Sequence, residues 1–305
     1  MENISTEVFY SLEAALKNPE AVSRLDLHYK NLTEFPKEIL KFKNLVELSI
    51  YNNYISEIPE DIYILEHLRK LDISGNKIKT LPSSISKLNS LEVLILSWNE
   101  ICELPESIGE FKKLKILSVS NNNLCKIPET LCEISTLEEL VLCENELLNL
   151  PESIGNLINL VELRACSGYL KQLPSSITKL PKLEKLEVHQ NHITSLPEDI
   201  GNIKTLNKLR LYNNLLTKLP DSICELNNLE KLILYKNELK ALPENIGKLT
   251  KLTELNLSVN ELNKLPDSIS ELKNLKTINL GRNSFSQETK VHIQSLLQHT
   301  SINWS

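Results

Sequence analysis

The run Leu91-Glu92-Val93-Leu94-Ile95-Leu96-Ser97-Trp98-Asn99-Glu100-Ile101-Cys102-Glu103-Leu104-Pro105-Glu106-Ser107-Ile108-Gly109-Glu110-Phe111-Lys112-Lys113 decides the fold. Leu94 and Leu96 alternate with positions free to vary, the period-2 signature of a short strand. Asn99 follows where the chain must turn inward, and an amide side chain can both donate to and accept from backbone groups of a turn. Pro105 then ends any ladder pairing and fixes φ for a return segment. That segment, with Ile108, Phe111 and Leu114 three residues apart, is long enough for one 3-10 or α turn. So short a strand cannot bury its apolar face alone and needs copies of itself stacked beside it.

The copies are present. Proline recurs at Pro36, Pro59, Pro82, Pro105, Pro128, Pro151, Pro174, Pro197, Pro220, Pro243 and Pro266, every step being 23 residues; only Pro19 and Pro181 lie outside the series. Asparagine keeps the same period at Asn53, Asn76, Asn99, Asn122, Asn145, Asn191, Asn214, Asn237, Asn260 and Asn283. Lys30 and Gly168 replace it in the first and seventh of twelve repeats, and there is no insertion or deletion. Stacking such units makes a continuous parallel sheet over a leucine core, and strands about 4.8 Å apart beside wider return segments make the stack curve.

The unit L-x-x-L-x-L-x-x-N-x-L-x-x-L-P-x-x-I-x-x-L-x-x resembles the leucine-rich-repeat family over nearly the whole chain. Its L-P-x-x-I form is similar to bacterial members, spirochaete ones included, to plant intracellular Ras-group repeats and to Ras-pathway scaffolds. The resemblance implies an α/β fold: a right-handed leucine-rich-repeat solenoid, horseshoe or arc, with a parallel β-sheet on the concave face and short turns on the convex face. It also implies a protein ligand held on that concave face.

An open stack exposes leucines at both ends, so caps are expected. Residues 1–20 are read as an N-terminal cap, 21–285 as the repeats and 286–305 as a C-terminal cap, one structural domain in all. A helix over Thr6 to Lys17 would bury Val8, Phe9, Leu12 and Leu16, with Ser5 or Thr6 as its cap. Ser286 would cap a second, running to about Gln298 with Val291, Ile293, Leu296 and Leu297 inward, followed by a strand over Ser301 to Trp304. Neither has the basic polar face of a membrane-surface helix.

At 41% hydrophobic and 24% charged the chain reads as folded, and its net charge of −6 argues against a general nucleic-acid binder. No window is long and apolar enough to span a membrane, so no membrane insertion is expected. The first residues, Met1-Glu2-Asn3-Ile4-Ser5-Thr6-Glu7, lack the basic and apolar regions of a secretory signal, which points to the cytoplasm; a trimmed chain would read the same. None of the six cysteines stands at metal spacing, and no cofactor is expected. Free thiols are the expectation, although Cys143 and Cys166, at the same phase of adjacent repeats, are close enough to pair. No phosphate loop, zinc-protease or nucleophile-elbow motif occurs, and an enzyme is not expected. His189 and His192 read as solvated surface histidines.

The phase of the repeat identifies the exposed strand positions. The second repeat presents Tyr51. The fourth to sixth present Val93, Ile95, Trp98, Ile116 and Val141, an apolar cluster unusual for an exposed sheet surface. Here Val93 neighbours Ile116, and Ile95 is read as diagonal to Val141. The seventh presents Arg164, and its Ala165 and Gly168 depart from the pattern in a way that should weaken its stacking. The eighth to tenth present Glu187, His189, Lys208, Arg210, Tyr212 and Tyr235, two tyrosines among basic residues, suited to an acidic protein surface. Interleaved bases and aromatics also suit single-stranded nucleic acid, which the overall acidity disfavours. The sequence therefore predicts a monomeric, non-enzymatic protein-binding module. Its alternatives are a bacterial surface or secreted factor contacting a host protein, and a structural spacer.

Overall fold

The computed structural model describes residues 7–305, which form two compact units, the first ending at Leu147 and the second spanning Leu148–Ser305. The first unit carries β1 (Val8–Phe9), α1 (Leu12–Leu16), β2 (Arg24–Asp26), β3 (Glu47–Ser49), β4 (Lys70–Asp72), β5 (Val93–Ile95), β6 (Ile116–Ser118) and β7 (Glu139–Val141). The second carries β8 (Glu162–Arg164), β9 (Lys185–Glu187), β10 (Lys208–Arg210), β11 (Lys231–Ile233), β12 (Glu254–Asn256), β13 (Thr277–Asn279), α2 (Gln287–Leu296) and β14 (Ser301–Asn303). Within each unit every strand pairs in parallel with the next in sequence, and between repeats the partners are always one period apart, as in Val93↔Ile116 and Lys208↔Lys231. The solenoid read from the period is therefore the fold.

Each strand from β2 to β13 points its central leucine or isoleucine inward. Leu48, Leu71, Leu94, Leu117 and Leu140 have almost no solvent exposure, nor have Leu186, Leu209 and Leu232 in the second unit. Between strands the return segment is a 3-10 turn entered from proline. At Pro82 (φ −65°) the Ile85 N–H donates back to the proline carbonyl at 3.1 Å, burying Ile85. Where a glycine occupies this turn the neighbouring turn sits against it: a Cβ on Gly201 would lie 2.0 Å from the Ser222 carbonyl oxygen.

The asparagine column forms a hydrogen-bonded ladder. Asn237 Oδ1 accepts from the Leu216 N–H at 3.1 Å, and its Nδ2 donates to the Leu211 and Leu234 carbonyls at 3.0 and 2.9 Å. One buried side chain thus joins its own turn to the preceding repeat, and Asn53, Asn76, Asn99, Asn122, Asn145, Asn191, Asn214, Asn260 and Asn283 make equivalent bonds. The residue just before this position takes positive φ in repeat after repeat: 52° at Asn52, 64° at Gly75, 60° at Trp98, 55° at Asn213 and 55° at Val259.

The ends differ from expectation in two places. Val8 and Phe9 are not helical; they form β1, in register with Arg24 and Leu25, and α1 begins only at Leu12, where the Ser11 hydroxyl accepts from the Ala14 N–H. An unpaired edge at β2 offers a ladder, and β-branched and aromatic residues suit a strand better than a helix. The alternative caps Ser5 and Thr6 lie outside the described residues. At the other end Ser286 caps α2 by accepting from Thr289 N–H, and Ile293 and Leu297 face inward, but Val291 is exposed. The helix is short and buries a narrow stripe, from which Val291 is turned away. No helix among the described residues is long and apolar enough to cross a membrane.

The cysteines also depart from the sequence reading. Cys143 and Cys166 are disulfide-bonded, not free thiols. Cys224 keeps its thiol, and burial pushes its pKa up to about 11, so it stays protonated and inert.

Candidate functional site

The side chains that alternate with the buried leucines form the sheet's outer surface, arranged in rows one period apart. In the first unit one row runs Val93–Ile116 in direct register, as the phase predicts. The next runs Ile95–Ser118–Val141, so Ile95 and Val141 are two strands apart on one row with a serine between them, not diagonal neighbours. All four apolar side chains are half-buried, and Ser118 bonds Ser97 hydroxyl to hydroxyl at 2.8 Å. Trp98 is not on the strand. It sits on the left-handed turn beyond it and is 65% exposed.

Tyr51 belongs to a second group in this unit that the sequence reading identified only in part. Its ring stacks on His28 with centroids 4.9 Å apart, and Tyr29 meets both rings edge-on. Asp26 holds His28 Nδ1 at 2.7 Å, and Asp72 accepts from the Ser74 hydroxyl at 2.6 Å. A cleft of about 280 Å3 is lined by Tyr51, Ser49, Asp26 and Asp72, together with Arg24, Glu47, Lys70, Val8 and Tyr10. The missed signal was in the column: His28 and Tyr51 are 23 residues apart at one phase, as are His189, Tyr212 and Tyr235.

In the second unit those last three rings form a continuous stack. His189 and Tyr212 lie 4.1 Å apart and Tyr212 and Tyr235 4.5 Å apart, each pair within about 10° of parallel. The Tyr212 hydroxyl is 3.3 Å from His189 Nε2. His189 is therefore buried under its neighbour and not the solvated residue expected, whereas His192 stacks on Tyr169. Desolvation raises the Tyr212 hydroxyl pKa, helped by Tyr235, against the lowering effect of Arg210.

Two rows of charge run beside the stack. One carries Glu162, Lys185, Lys208, Lys231 and Glu254, the other Arg164, Glu187 and Arg210. The basic residues are less available than the sequence suggests, because Glu187 is only 5% exposed and lies among them. Lys208 Nζ approaches its Oε1 at 2.6 Å and Arg210 at 3.6 Å, while Arg164 Nε lies 4.0 Å from its Oε2. Glu162 takes Arg164 and Lys185. Burial opposes ionisation of Glu187, but the Lys208 hydrogen bond and the charges of Arg210, Lys208 and Arg164 outweigh it and hold the carboxyl below its ordinary pKa. The result is a preorganised network with five basic residues to three carboxylates.

Family models for a leucine-rich repeat region match residues 60–146, 94–188 and 175–301, and one for a leucine-rich repeat matches 20–77. Among solved structures, a leucine-rich-repeat protein of Leptospira interrogans is 27% identical with a TM-score of 0.62, over 98% of this chain and 100% of its own. A TDR receptor is 29% identical, with a TM-score of 0.79 over 92% of this chain and 55% of its own. The plant peptide hormone receptor RGFR1, solved in complex with RGF2, is 27% identical, with a TM-score of 0.67 over 93% of this chain and 54% of its own. This chain thus spans about half the length of those two receptors. No curated protein matches it as a relative.

Proposed function

This chain belongs to the leucine-rich-repeat family, and we propose that it is a non-enzymatic protein-interaction module that takes its partner on the exposed face of the sheet. The observation carrying the proposal is the stack of His189, Tyr212 and Tyr235 beside the Lys208–Arg210–Glu187 network. Stacked rings held in place lose little conformational entropy on binding, and tyrosine and arginine are the side chains that most often anchor interfaces. The excess of basic groups selects an acidic partner surface and steers its approach. The similarity to RGFR1, a plant peptide hormone receptor solved in complex with RGF2, supports a polypeptide ligand for this fold. The test is cross-linking from the native source with the parent chain and with a Tyr212→Ala/Tyr235→Ala variant. The parent should recover a discrete partner that the variant loses, with Tm within a few degrees. Retention of that partner by the variant would move the site elsewhere.

The disulfide-bonded state of Cys143 and Cys166 favours a second reading of the setting. Disulfides persist in oxidising compartments and are rare in the reducing cytosol. It supports a surface or secreted factor over a cytoplasmic adaptor. Alkylation of the protein in its native source, without reductant, decides between them: both cysteines should resist labelling if the setting is oxidising, and label fully if it is not.

A further inference from the structure

Two exposed thiols stand one period apart in the first unit. Cys102 lies three residues after Asn99 in the fourth repeat, and Cys125 three residues after Asn122 in the fifth. Both are free and exposed, whereas Cys132 and Cys224 are buried. The backbone brings the two segments side by side. Asn123 N–H donates to the Ile101 carbonyl at 2.9 Å, and Asn122 Oδ1 accepts from the Ile101 N–H at 2.9 Å. One repeat earlier the column is bonded at the cysteine itself, Cys102 N–H donating to the Lys79 carbonyl at 3.4 Å. Equivalent Cα atoms of turns joined this way lie about 5 Å apart, inside the span of about 4.4–6.8 Å that a disulfide bridges. Cys102 Sγ rests 3.8 Å from the Lys79 carbonyl oxygen, and a rotation about χ1, open to an exposed side chain, turns it to Cys125.

We propose that Cys102 and Cys125 are a modification site, a dithiol pair that closes to a disulfide by exchange with a small-molecule disulfide of the glutathione class. One cysteine, as its thiolate, attacks a sulfur of glutathione disulfide; that S–S bond breaks, one glutathione thiolate leaves, and a mixed disulfide remains on the protein. The other cysteine then loses its proton to solvent and attacks the protein-side sulfur, forming the Cys102–Cys125 bond and expelling the second glutathione. The two protein thiols give up two electrons and two protons, and the oxidant departs as two glutathione thiols. The second step is intramolecular, so a neighbouring thiol held by the adjacent turn outcompetes a second glutathione. Cys132 and Cys224 do not compete, because burial shields both. The new bond joins the fourth repeat to the fifth just beyond the left-handed turns of Trp98 and Asn121, and so stiffens that rim. The pair lies beyond the strands, and its chemistry needs no partner protein to be tested.

The full chain is incubated with glutathione disulfide, quenched with an alkylating agent and digested without reductant for mass spectrometry. Trypsin cuts at Lys112, Lys113 and Lys115 between the two cysteines, so closure joins two separate peptides that carry no glutathione. The parent should give that joined pair, and dithiothreitol should reopen it. Cys102→Ser and Cys125→Ser, both small changes at exposed positions, should each leave the remaining cysteine carrying one glutathione. Closure should also slow hydrogen exchange of the Asn123 amide about tenfold, because the two turns can no longer part. A parent that keeps a glutathione on each cysteine, links them between molecules or stays reduced at either one overturns the proposal. A closed bond that leaves Asn123 exchange unchanged overturns the stiffening of the rim.

Discussion

Replacing Asn237 with alanine tests whether the ladder or the leucine core dominates cohesion between repeats. Asn237 is 8% exposed and makes three bonds of 2.9 to 3.1 Å, to Leu216 N–H and to the Leu211 and Leu234 carbonyls. Each is worth about 1 kcal/mol net, and the orphaned buried N–H adds a desolvation penalty, so Asn237→Ala should cost about 3 to 4 kcal/mol. The apolar core is untouched, which isolates the ladder. Urea denaturation followed by circular dichroism gives the loss, and hydrogen exchange locates it: the Leu216 amide should lose about 100-fold of its protection. An Asn237→Asp variant sharpens the reasoning, because a carboxylate accepts from Leu216 but can donate to neither carbonyl unless protonated. Its folded-state pKa is raised above the unfolded value, so the variant is most stable in acid and loses stability as pH rises through the folded pKa. A cost below about 1 kcal/mol for Asn237→Ala with Leu216 protection intact would refute the account.

A Cβ at Gly201 meets a backbone carbonyl that cannot swing aside, so Gly201→Ala should lower stability by about 1 to 3 kcal/mol, read as a fall in urea midpoint; no change would mean the turns have slack. Glu187 has a lowered folded-state pKa, so its contribution is full above the unfolded value of about 4.3 and lost as pH falls through the folded pKa. Parent and Glu187→Gln stability curves should therefore converge on acidification, and parallel curves would exclude the network as its cause. Val259 is β-branched at φ 55°, and Val259→Asn should stabilise by about 1 kcal/mol in thermal melts. Trp98→Asn should likewise raise Tm slightly while weakening partner binding in a titration; a lower Tm would show that the indole packs against the protein.

The period made the strands, their register and the buried leucines legible, because one 23-residue step fixes which positions pair and which face inward. Ile95 and Val141 show where arithmetic needed more care: the same register puts Ser118 between them. What phase could not give is how deep a given side chain sits. Glu187 and Arg210 share a row, yet only the ring of cations around the first explains why a carboxylate stays ionised at 5% exposure. Nor could helical patterning see that Val8 and Phe9 have an open strand beside them. The left-handed column was legible in principle, since Asn52, Gly75, Asn121 and Asn213 all occupy it.

That column separates scaffold from surface function. A residue at φ near +60° costs least as glycine or asparagine, and four repeats use one of those two. Trp98 takes the same backbone while remaining 65% exposed, so its indole returns little to the core it stands beside. Burying Glu187 among cations is likewise costly, since desolvation opposes its charge before Lys208 and the arginines offset it. Both choices work against local stability, as does the β-branched Val259 at the same left-handed position. Such departures gather where a surface is shaped for something other than folding, and both lie on the face opposite the leucines or on its rim.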